Sequence, residues 1–518
     1  MSAARSARIF ILGFLLALAG YVTNQKIELT TADLGRHLKN GEIFFNEGII
    51  PQTNFYSYTH PDHPVVNHHW GAGAIFYLVR QAAGFGGLSL FFMAASLAAF
   101  LLVFDLAARS SCFEAAAVLS MVTLPLLGSR SEIRPEVLSC LFIAFFLWVL
   151  WDLRNFRRWR WVLPVVQAAW VNTHIYFFFG PCLIGLFLLD RLVGRQGNWR
   201  QDVKHLGQAI FLCAAAAMIN PAGPRGVLYP LLIFRSYEYR LFENQSVSFL
   251  ERLNINYSPI ANFKIALGIL AVSWVIWFVK TKRLAAGRII LSLAAGLLAW
   301  TAVRNLALFG HLSLPLMAAN FGLFFPRAGQ DKSRWGESWR FNRLAPACFL
   351  AGIFLLTMSR FNPEPFRFAK KGLGLQPGTQ NAAGFFVREN IQGPVFNNYD
   401  IGGYLIYYLY PGRRVFVDNR PEAYPGSFFK DVYVPMQEHD EAWNQADARY
   451  NFNAIFFYRH DLTPWGQNFL IQRIRDPRWA PVFVDEERIV FLRRNGPNRK
   501  TIEQFELPRE MFSIKRQG

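Results

Sequence analysis

Long apolar segments alternate with short charged segments over the first two-thirds of the chain. A helix needs about 20 mainly apolar residues to cross a bilayer, within a range of about 17 to 25. The pattern predicts eleven membrane-spanning helices, several of them short, at residues 8–23, 87–108, 113–127, 137–151, 161–172, 175–192, 206–220, 263–279, 288–303, 306–325 and 344–358. Arg5 and Arg8 precede the first segment, but no convincing cleavage site follows Val22, so we interpret the segment as a retained helix and not as a signal peptide.

Basic residues recur in every second loop between these segments, when the N-terminus is placed in the cytoplasm. The clusters are Arg154, Arg157, Arg158 and Arg160; Arg191, Arg195, Arg200 and Lys204; Lys280, Lys282, Arg283 and Arg288; and Arg327, Lys332, Arg334, Arg340 and Arg343. Short loops rich in Lys and Arg stay cytoplasmic. We therefore predict a multi-pass protein of the cytoplasmic (inner) membrane, with a cytoplasmic N-terminus and a periplasmic or extracellular C-terminal part. The net charge of +19 then reflects these loops and not nucleic-acid binding.

The apolar segments and their flanks define two predicted domains. Residues 1–359 form a transmembrane domain, which includes a first outer loop at 24–86 and a second at 221–262. Residues 360–518 are less apolar and predict a compact α/β domain. The sequences VFNNY, RRVFVDNR and NAIFFYR are typical of strands, GGYLIYYLY of a helix, and PVFVDEERIVFLRR of a hairpin that turns at residues 485–487. Strands that alternate with helices indicate a mainly parallel sheet.

Polar residues gather at span ends and outer loops on one predicted face of the membrane. The candidate site residues are Asp33, Arg36, His37, His68 and His69 in the first outer loop, and Arg134, His174 and Arg304 at the ends of spans. The informative feature is the tight position of these residues at span ends beneath the predicted outer domain, and not their polarity alone.

Each of these residues also has a structural interpretation. Asp33 could cap a short helix beginning at Leu34, with His37 one turn further on the same face. The histidines near Trp70 could lie in an aromatic belt at the membrane interface, or three imidazoles and one acid could bind a metal. Arg134 and Arg304 could contact lipid phosphates only.

The same segments resemble a known family. DLGRHLKNGEIFFNEGIIPQTNFYSYTHPDHPVVNHHW resembles the first outer loop of bacterial membrane proteins of the GT-C glycosyltransferase superfamily, with its acid and histidine, G-x-I-P and His–Trp elements. RPEVLS, WVNTHIYFFFG, INPAGPRGVLYP and RNLALFGHLSLP resemble its later landmarks. VFNNYDIGGYLIYYLYPGRRVFVDNRPEAY resembles the start of its outer domain. The resemblance extends from Asp33 to about Tyr424.

This resemblance implies a polytopic GT-C-like fold and an enzyme that transfers a hexosyl or pentosyl group. The donor would be a polyprenyl-phosphate-linked sugar among the membrane lipids. The acceptor would be a glycan, lipid or protein at the outer face, and transfer would proceed with inversion. Asp33 matches the position of the family's general base. In the implied reaction Arg134 and Arg304, with Arg36 or His174, are candidates to hold the phosphate, since arginine binds phosphate through two parallel hydrogen bonds. His37, His68 and His69 are candidates to orient the acid or to bind the sugar. Many relatives carry two adjacent acids there, whereas Leu34 follows Asp33 in this chain, so no metal or other cofactor is predicted.

Two other classes of protein remain open from the residues alone. A transporter or flippase would place ionisable groups in mid-membrane, where the sequence has few, since Asp105 lies near a helix end beside Arg109. A non-catalytic membrane scaffold would present a binding surface on its outer domain. Asp400, Asp418, Arg420 and Glu422 would line that surface, although packing and turn roles fit these residues equally well.

Overall fold

The computed structural model describes residues 3–195, 197–232, 239, 241–282, 285–323 and 370–512. It divides into two compact units. The first comprises Met1–Lys26, Gly87–Pro230 and Leu241–Leu373, and the second comprises Ile27–Gly86, Leu231–Arg240 and Gly374–Gly518. Most of the first outer loop therefore packs with the C-terminal part of the chain. The predicted span at 344–358, and the boundary predicted at 359, lie outside the described residues.

Helices dominate both units. In chain order they are α1 Ala3–Thr23, α2 Leu34–Glu47, α3 Trp70–Ser110, α4 Phe113–Leu127, α5 Glu136–Leu150, α6 Leu153–Trp159, α7 Val162–Val171, α8 Phe179–Gly194, α9 Trp199–Ala217, α10 Pro224–Leu232, α11 Val247–Arg252, α12 Ser258–Thr281, α13 Ala286–Thr301, α14 Leu306–Phe321, α15 Asn381–Arg388, α16 Gly402–Leu409, α17 Pro435–Glu438, α18 Asp440–Tyr450, α19 Pro464–Arg475 and α20 Arg499–Phe505. Short 3-10 helices span Gly128–Arg130, Ile175–Phe178, Phe242–Asn244, Val303–Asn305, Pro421–Ala423 and Arg509–Met511, and a π-helix spans Phe428–Tyr433.

The apolar helices agree with the sequence pattern in position, although not in every length. Among the described residues, four helices are long and apolar enough to cross a membrane: Arg5–Thr23, Trp70–Ser110, Ile175–Gly194 and Ser258–Thr281. A fifth is possible if Glu136–Leu150 and Leu153–Trp159, which meet at 115°, form one broken span. Val162–Val171 and Ala286–Thr301 are shorter apolar helices. The count of eleven spans stays a prediction.

The first unit is built around a helix with no polar face. Every residue of α14 from Leu306 to Asn320 is buried, as expected for a helix that is hydrophobic on all sides. It packs closely against α4: a Cβ on Gly310 would lie only 3.1 Å from the Cβ of Leu126. The C-terminal end of α4 and the N-terminal end of α14 therefore lie close together. The charged residues next to these ends are brought together as a result.

The second unit contains a four-stranded sheet in the order β1-β2-β4-β3. The strands are β1 Val395–Asn397, β2 Ala454–Tyr458, β3 Trp479–Val484 and β4 Arg488–Arg493. Only β1 and β2 run parallel, whereas β4 pairs antiparallel with β2 and β3. The predicted hairpin is thus confirmed. The prediction of a mainly parallel sheet is wrong, because that hairpin supplies two antiparallel pairings.

The prediction that RRVFVDNR forms a strand is also wrong. Its backbone pairs with the first outer loop at a single bridge, Val415 to Ser57, where the amide of Val415 donates to the Tyr56 carbonyl at 3.0 Å. The next amide, of Phe416, donates to the side chain of Asn397 at 2.9 Å. Because loop and side-chain oxygens take these amide hydrogens, the segment is buried without forming a strand of the sheet.

Candidate functional site

The second unit places two acids at one edge of its sheet. Asp400 follows β1 and Asp461 follows β2, and these strands are parallel neighbours. The carboxyl ends of parallel neighbours meet at the same edge, so the two acids lie close together. Asn398 joins the strands there: its Nδ2 donates to Oδ2 of Asp461 at 2.9 Å, and its Oδ1 accepts from the amide of Tyr458 at 2.9 Å.

Burial raises the pKa values of both acids at this edge. Burial raises the pKa of Asp400 to about 8, and the negative charges of Asp461 and Asp33 add to the shift. Burial also raises the pKa of Asp461, although Thr463 and Asn398 stabilise its charged form. Asp33 is therefore close enough for its charge to act on Asp400. Asp461 had no distinguishing signal in the sequence beyond its place after a strand.

Two glycines bring Asp33 to this edge. Helix α2, which begins directly after Asp33, packs against α16, which begins just after Asp400. A Cβ on Gly35 would lie 2.6 Å from the carbonyl oxygen of Gly403, so only glycine allows this backbone approach. The side chain of Asp33 is 24% exposed. It stands at the N-cap position, as the sequence suggested, but makes no capping hydrogen bond.

Arg36 lies next to Asp33, and the rings of the three histidines of the first outer loop contact one another. Nη2 of Arg36 lies 3.6 Å from Oδ1 of Asp33, and the buried Nε of Arg36 has no hydrogen-bond partner among the described residues. The His69 ring makes edge contacts with His37, at 5.4 Å between centroids, and with His68, at 4.8 Å. Burial and the charge of Arg36 lower the pKa of His68 to about 3, so this imidazole is neutral at physiological pH.

Replacing Gly35 with Ala should displace α2 and Asp33. Alanine favours a helix by about 1 kcal/mol over glycine, but its Cβ would meet the Gly403 carbonyl at 2.6 Å and the Cβ of Tyr407 at 3.1 Å. Overpacking of this kind costs about 1–3 kcal/mol. We expect a lower thermal unfolding midpoint, measured by scanning fluorimetry of the purified chain.

Gly384→Ala is the matched control for Gly35→Ala. Gly384 lies inside α15 of the same unit, and a Cβ there would meet nothing within 4 Å. This variant should keep or slightly raise the unfolding midpoint. Equal midpoints for the two alanine variants would contradict the close approach of α2 and α16.

The first unit contains a separate cluster of arginines and glutamates, assembled from four helix ends. Arg130 lies in the 3-10 turn that extends α4, Glu136 opens α5, and Arg304 lies in the 3-10 turn before α14. Glu243 comes from a 3-10 turn in the second outer loop. Arg134 lies in the connection between α4 and α5. The close packing of α4 and α14 brings these turns together.

The ion pairs in this cluster are short, and Glu136 and Glu243 each contact more than one arginine. Arg130 and Arg304 both bind Glu136, each with a closest N–O distance of 2.6 Å. Glu243 contacts all three guanidinium groups, at 2.8 Å from Arg130, 3.1 Å from Arg134 and 3.6 Å from Arg304. Burial alone would raise the pKa of Glu243, but Arg134, Arg130 and Arg304 outweigh it and hold that pKa well below its usual range. The three arginines thus create a strongly positive potential at the Glu243 carboxylate.

A small cavity of about 40 Å³ lies beside this cluster. Its wall combines charged and apolar side chains. The charged lining residues are Arg130, Glu132, Arg134, Glu136 and Arg304, and the apolar ones include Phe92, Leu127, Val137, Cys140, Ala307 and Leu308. The lining therefore combines groups that suit an anionic headgroup with groups that suit a hydrocarbon chain.

His174 lies buried behind the wall of this cavity. It is 2% exposed, and its Nδ1 lies 2.8 Å from the hydroxyl of Ser139. Its ring packs against Tyr176 at 4.6 Å between centroids, and Tyr176 lines the cavity. His174 is therefore placed to position a wall residue of the cavity.

The predicted site residues fall into two groups. The structure brings Asp33, Arg36 and the first-loop histidines together in the second unit, and Arg134, Arg304 and the neighbourhood of His174 together in the first. That the two groups form one pocket stays a prediction. Glu243 was missed, because nothing in the aromatic-rich sequence YRLFENQ links this acid to distant arginines. In the part of the chain that the structure describes, no group of three His, Cys, Asp or Glu residues could hold a metal ion.

Asp418 and Arg420 do not line an exposed surface. Both are buried, and their side chains form an ion pair of 2.6 Å. Arg420 also donates to Oδ1 of Asn54 at 2.6 Å and lies over the Tyr56 ring. These residues join the first outer loop to the C-terminal part of the second unit, which favours a packing role over a scaffold surface.

The chain has structural relatives of low sequence identity. It aligns with the archaeal oligosaccharyltransferase AglB from Archaeoglobus fulgidus, in complex with an inhibitory peptide and a dolichol-phosphate, at 10% identity and a TM-score of 0.59, over 92% of this chain and 72% of that chain. It aligns with ArnT from Cupriavidus metallidurans in the apo state at 11% identity and a TM-score of 0.55, over 98% of this chain and 100% of that chain. The same ArnT bound to undecaprenyl phosphate gives 12% identity and a TM-score of 0.50, over 96% and 99% of the two chains.

No protein-family model and no curated protein sequence matches this chain. AglB and ArnT are membrane glycosyltransferases of the GT-C superfamily, and the alignments cover more than nine-tenths of this chain. The chain is thus a polytopic helical membrane protein with the GT-C fold and a C-terminal α/β domain, as its sequence predicted.

Proposed function

We propose that this protein transfers a sugar from a polyprenyl-phosphate carrier to an acceptor at the outer face of the cytoplasmic membrane. The observation that carries this proposal is the cavity of the first unit, where three arginines meet an apolar wall. Arginine suits phosphate, and the apolar wall suits an isoprenoid chain. ArnT binds undecaprenyl phosphate and AglB binds a dolichol-phosphate in the structures compared above, which supports the same class of carrier here.

The reaction requires a base and a stabilised leaving group. The acceptor hydroxyl oxygen would attack C1 of the sugar, its proton would pass to the Asp33 carboxylate, and the bond from C1 to the phosphate oxygen would break. Inversion at C1 follows from a single displacement of this kind. A general base must lie within about 2.6–3.2 Å of the oxygen that it deprotonates. The half-buried position of Asp33 keeps it accessible to such an acceptor.

The remaining candidates have supporting roles in this proposal. Arg134 and Arg304 would bind the phosphate and stabilise the charge that develops as the sugar leaves. The unpartnered Nε–H of Arg36 could donate to a sugar or phosphate oxygen. His68 is neutral, so it would bind a sugar hydroxyl and not serve as a cation. His37 and His69 would complete that polar surface, and His174 would act through Tyr176.

The proposal predicts a specific change in the cell envelope. We expect cells that lack the protein to accumulate a polyprenyl-phosphate-linked sugar and to lose the corresponding sugar from an envelope glycan, lipid or protein. Mass spectrometry of membrane extracts, with and without the protein, measures both. Reintroducing the wild-type chain should reverse both changes. Unchanged lipid-linked sugars and envelope glycans would contradict the proposed function.

A further inference from the structure

The carboxylate of Glu243 occupies the centre of the arginine cluster. Arg130, Arg134 and Arg304 lie 2.8, 3.1 and 3.6 Å from its oxygens. Among the described residues, Glu136 forms ion pairs with Arg130 and Arg304 and with no third arginine. Glu243 therefore occupies the position where the positive potential of all three guanidinium groups converges.

Glu243 keeps a negative charge among the guanidinium groups while it is in place. Three guanidinium groups face the carboxylates of Glu132, Glu136 and Glu243. A phosphate monoester that approached the cluster would then meet the like charge of Glu243. If Glu243 withdraws, its contacts with Arg130, Arg134 and Arg304 are released and the cluster becomes more positive by one charge, which favours phosphate.

We propose that Glu243 is an internal competitor for the carrier's phosphate, which it resembles in charge and in its oxygen acceptors. The phosphate monoester group binds at the focus of Arg130, Arg134 and Arg304 by displacing the Glu243 carboxylate. This inference rests on the proposed function, because it takes the carrier phosphate as the ligand. It adds that the empty site is held closed to anions by the protein's own acid, so the arginines are not left uncompensated between turnovers.

Binding of two phosphate probes to the full-length purified protein tests this inference. Farnesyl phosphate reports on a lipid-linked phosphate and inorganic phosphate on the free ion, each titrated by calorimetry at constant ionic strength. Glu243→Gln should bind farnesyl phosphate about tenfold more tightly than wild type, the factor for a site that the carboxylate occupies roughly nine-tenths of the time. Glu243→Asp keeps the charge and should stay close to the wild-type affinity.

Glu251→Gln is the matched control for Glu243→Gln. It makes the same change in the same outer loop, at an acid that pairs with Lys264 away from the cluster, and it should leave the affinity close to wild type. Tighter binding of farnesyl phosphate alone by Glu243→Gln supports a lipid carrier as the ligand. An equal gain with inorganic phosphate supports competition at the phosphate group itself.

The outcomes separate this inference from the proposed function. Unchanged or weaker binding by Glu243→Gln, with Arg304→Ala still weakening it, overturns the competition and leaves the carrier site intact. Absence of farnesyl phosphate binding to wild type and to every variant overturns the carrier site and the competition together. A gain with Glu251→Gln equal to that with Glu243→Gln also overturns the inference, because the effect would then be one of overall charge.

Discussion

Asp33→Asn should lower the rate of sugar transfer by about 10²- to 10⁴-fold, the usual contribution of a general base. Asparagine keeps the size and polarity of the side chain but cannot accept the proton of the acceptor hydroxyl. Carrier binding should persist, because the arginines assigned to the phosphate are unchanged. Single-turnover transfer in proteoliposomes and binding of farnesyl phosphate measure the two quantities separately.

Asp62→Asn is the matched control for Asp33→Asn. Asp62 is an exposed acid of the same first outer loop, so its replacement should leave the rate of transfer near the wild-type value. A wild-type rate with Asp33→Asn would exclude Asp33 as the base. Loss of carrier binding with Asp33→Asn would instead assign Asp33 to binding of the donor.

Arg304→Ala should weaken the binding of farnesyl phosphate by roughly 10- to 100-fold, since a hydrogen bond to a charged group contributes about 1.5–3 kcal/mol. The fold should survive this change. Glu136 keeps its ion pair with Arg130, and Glu243 keeps Arg130 and Arg134, so no carboxylate is left without a cation. Calorimetric titration measures the affinity, and scanning fluorimetry checks that the protein remains folded.

Arg252→Ala supplies the comparison for Arg304→Ala. Arg252 is an exposed arginine at the end of α11, with its Nε donating to the Ser248 carbonyl, and its loss should change the affinity little. Equal losses of affinity in the two variants would show that general positive charge attracts the carrier, and not the arginine cluster. An unchanged affinity with Arg304→Ala would remove Arg304 from the phosphate site.

The predicted spans agree most closely with α4 and α14, whereas α3 begins at Trp70 and not at the predicted residue 87. The predicted span at 113–127 coincides with α4, and the one at 306–325 begins where α14 begins. Burial of α14 on all sides needed the structure, because an apolar helix that faces lipid has the same composition as one that faces protein. In the second unit, the strand periodicity located β1, β2 and the hairpin but could not reveal that Asn397 and the first outer loop take the hydrogen bonds of RRVFVDNR.

The sequence identified several residues of the candidate site but not the contacts between them. Asp33, Arg134 and Arg304 were identified because ionisable groups are few beside apolar spans. Glu243 and Asp461 were not identified, since each contacts partners more than 60 residues away in the sequence. Sequence distance conceals such pairs, and an isolated acid in a loop has many ordinary roles.

By itself the sequence determined that the chain carries a series of apolar helices suited to a membrane and which polar residues stand near their ends, because hydrophobicity and helix signals act over neighbouring residues. Only the tertiary structure decided that most of the first outer loop packs with the C-terminal part of the chain, that the helix after Asp33 packs against the helix after Asp400, and that Glu243 meets three arginines. These arrangements depend on close approaches, such as Gly35 to Gly403, and on charges brought together through space. No local pattern in the chain encodes them.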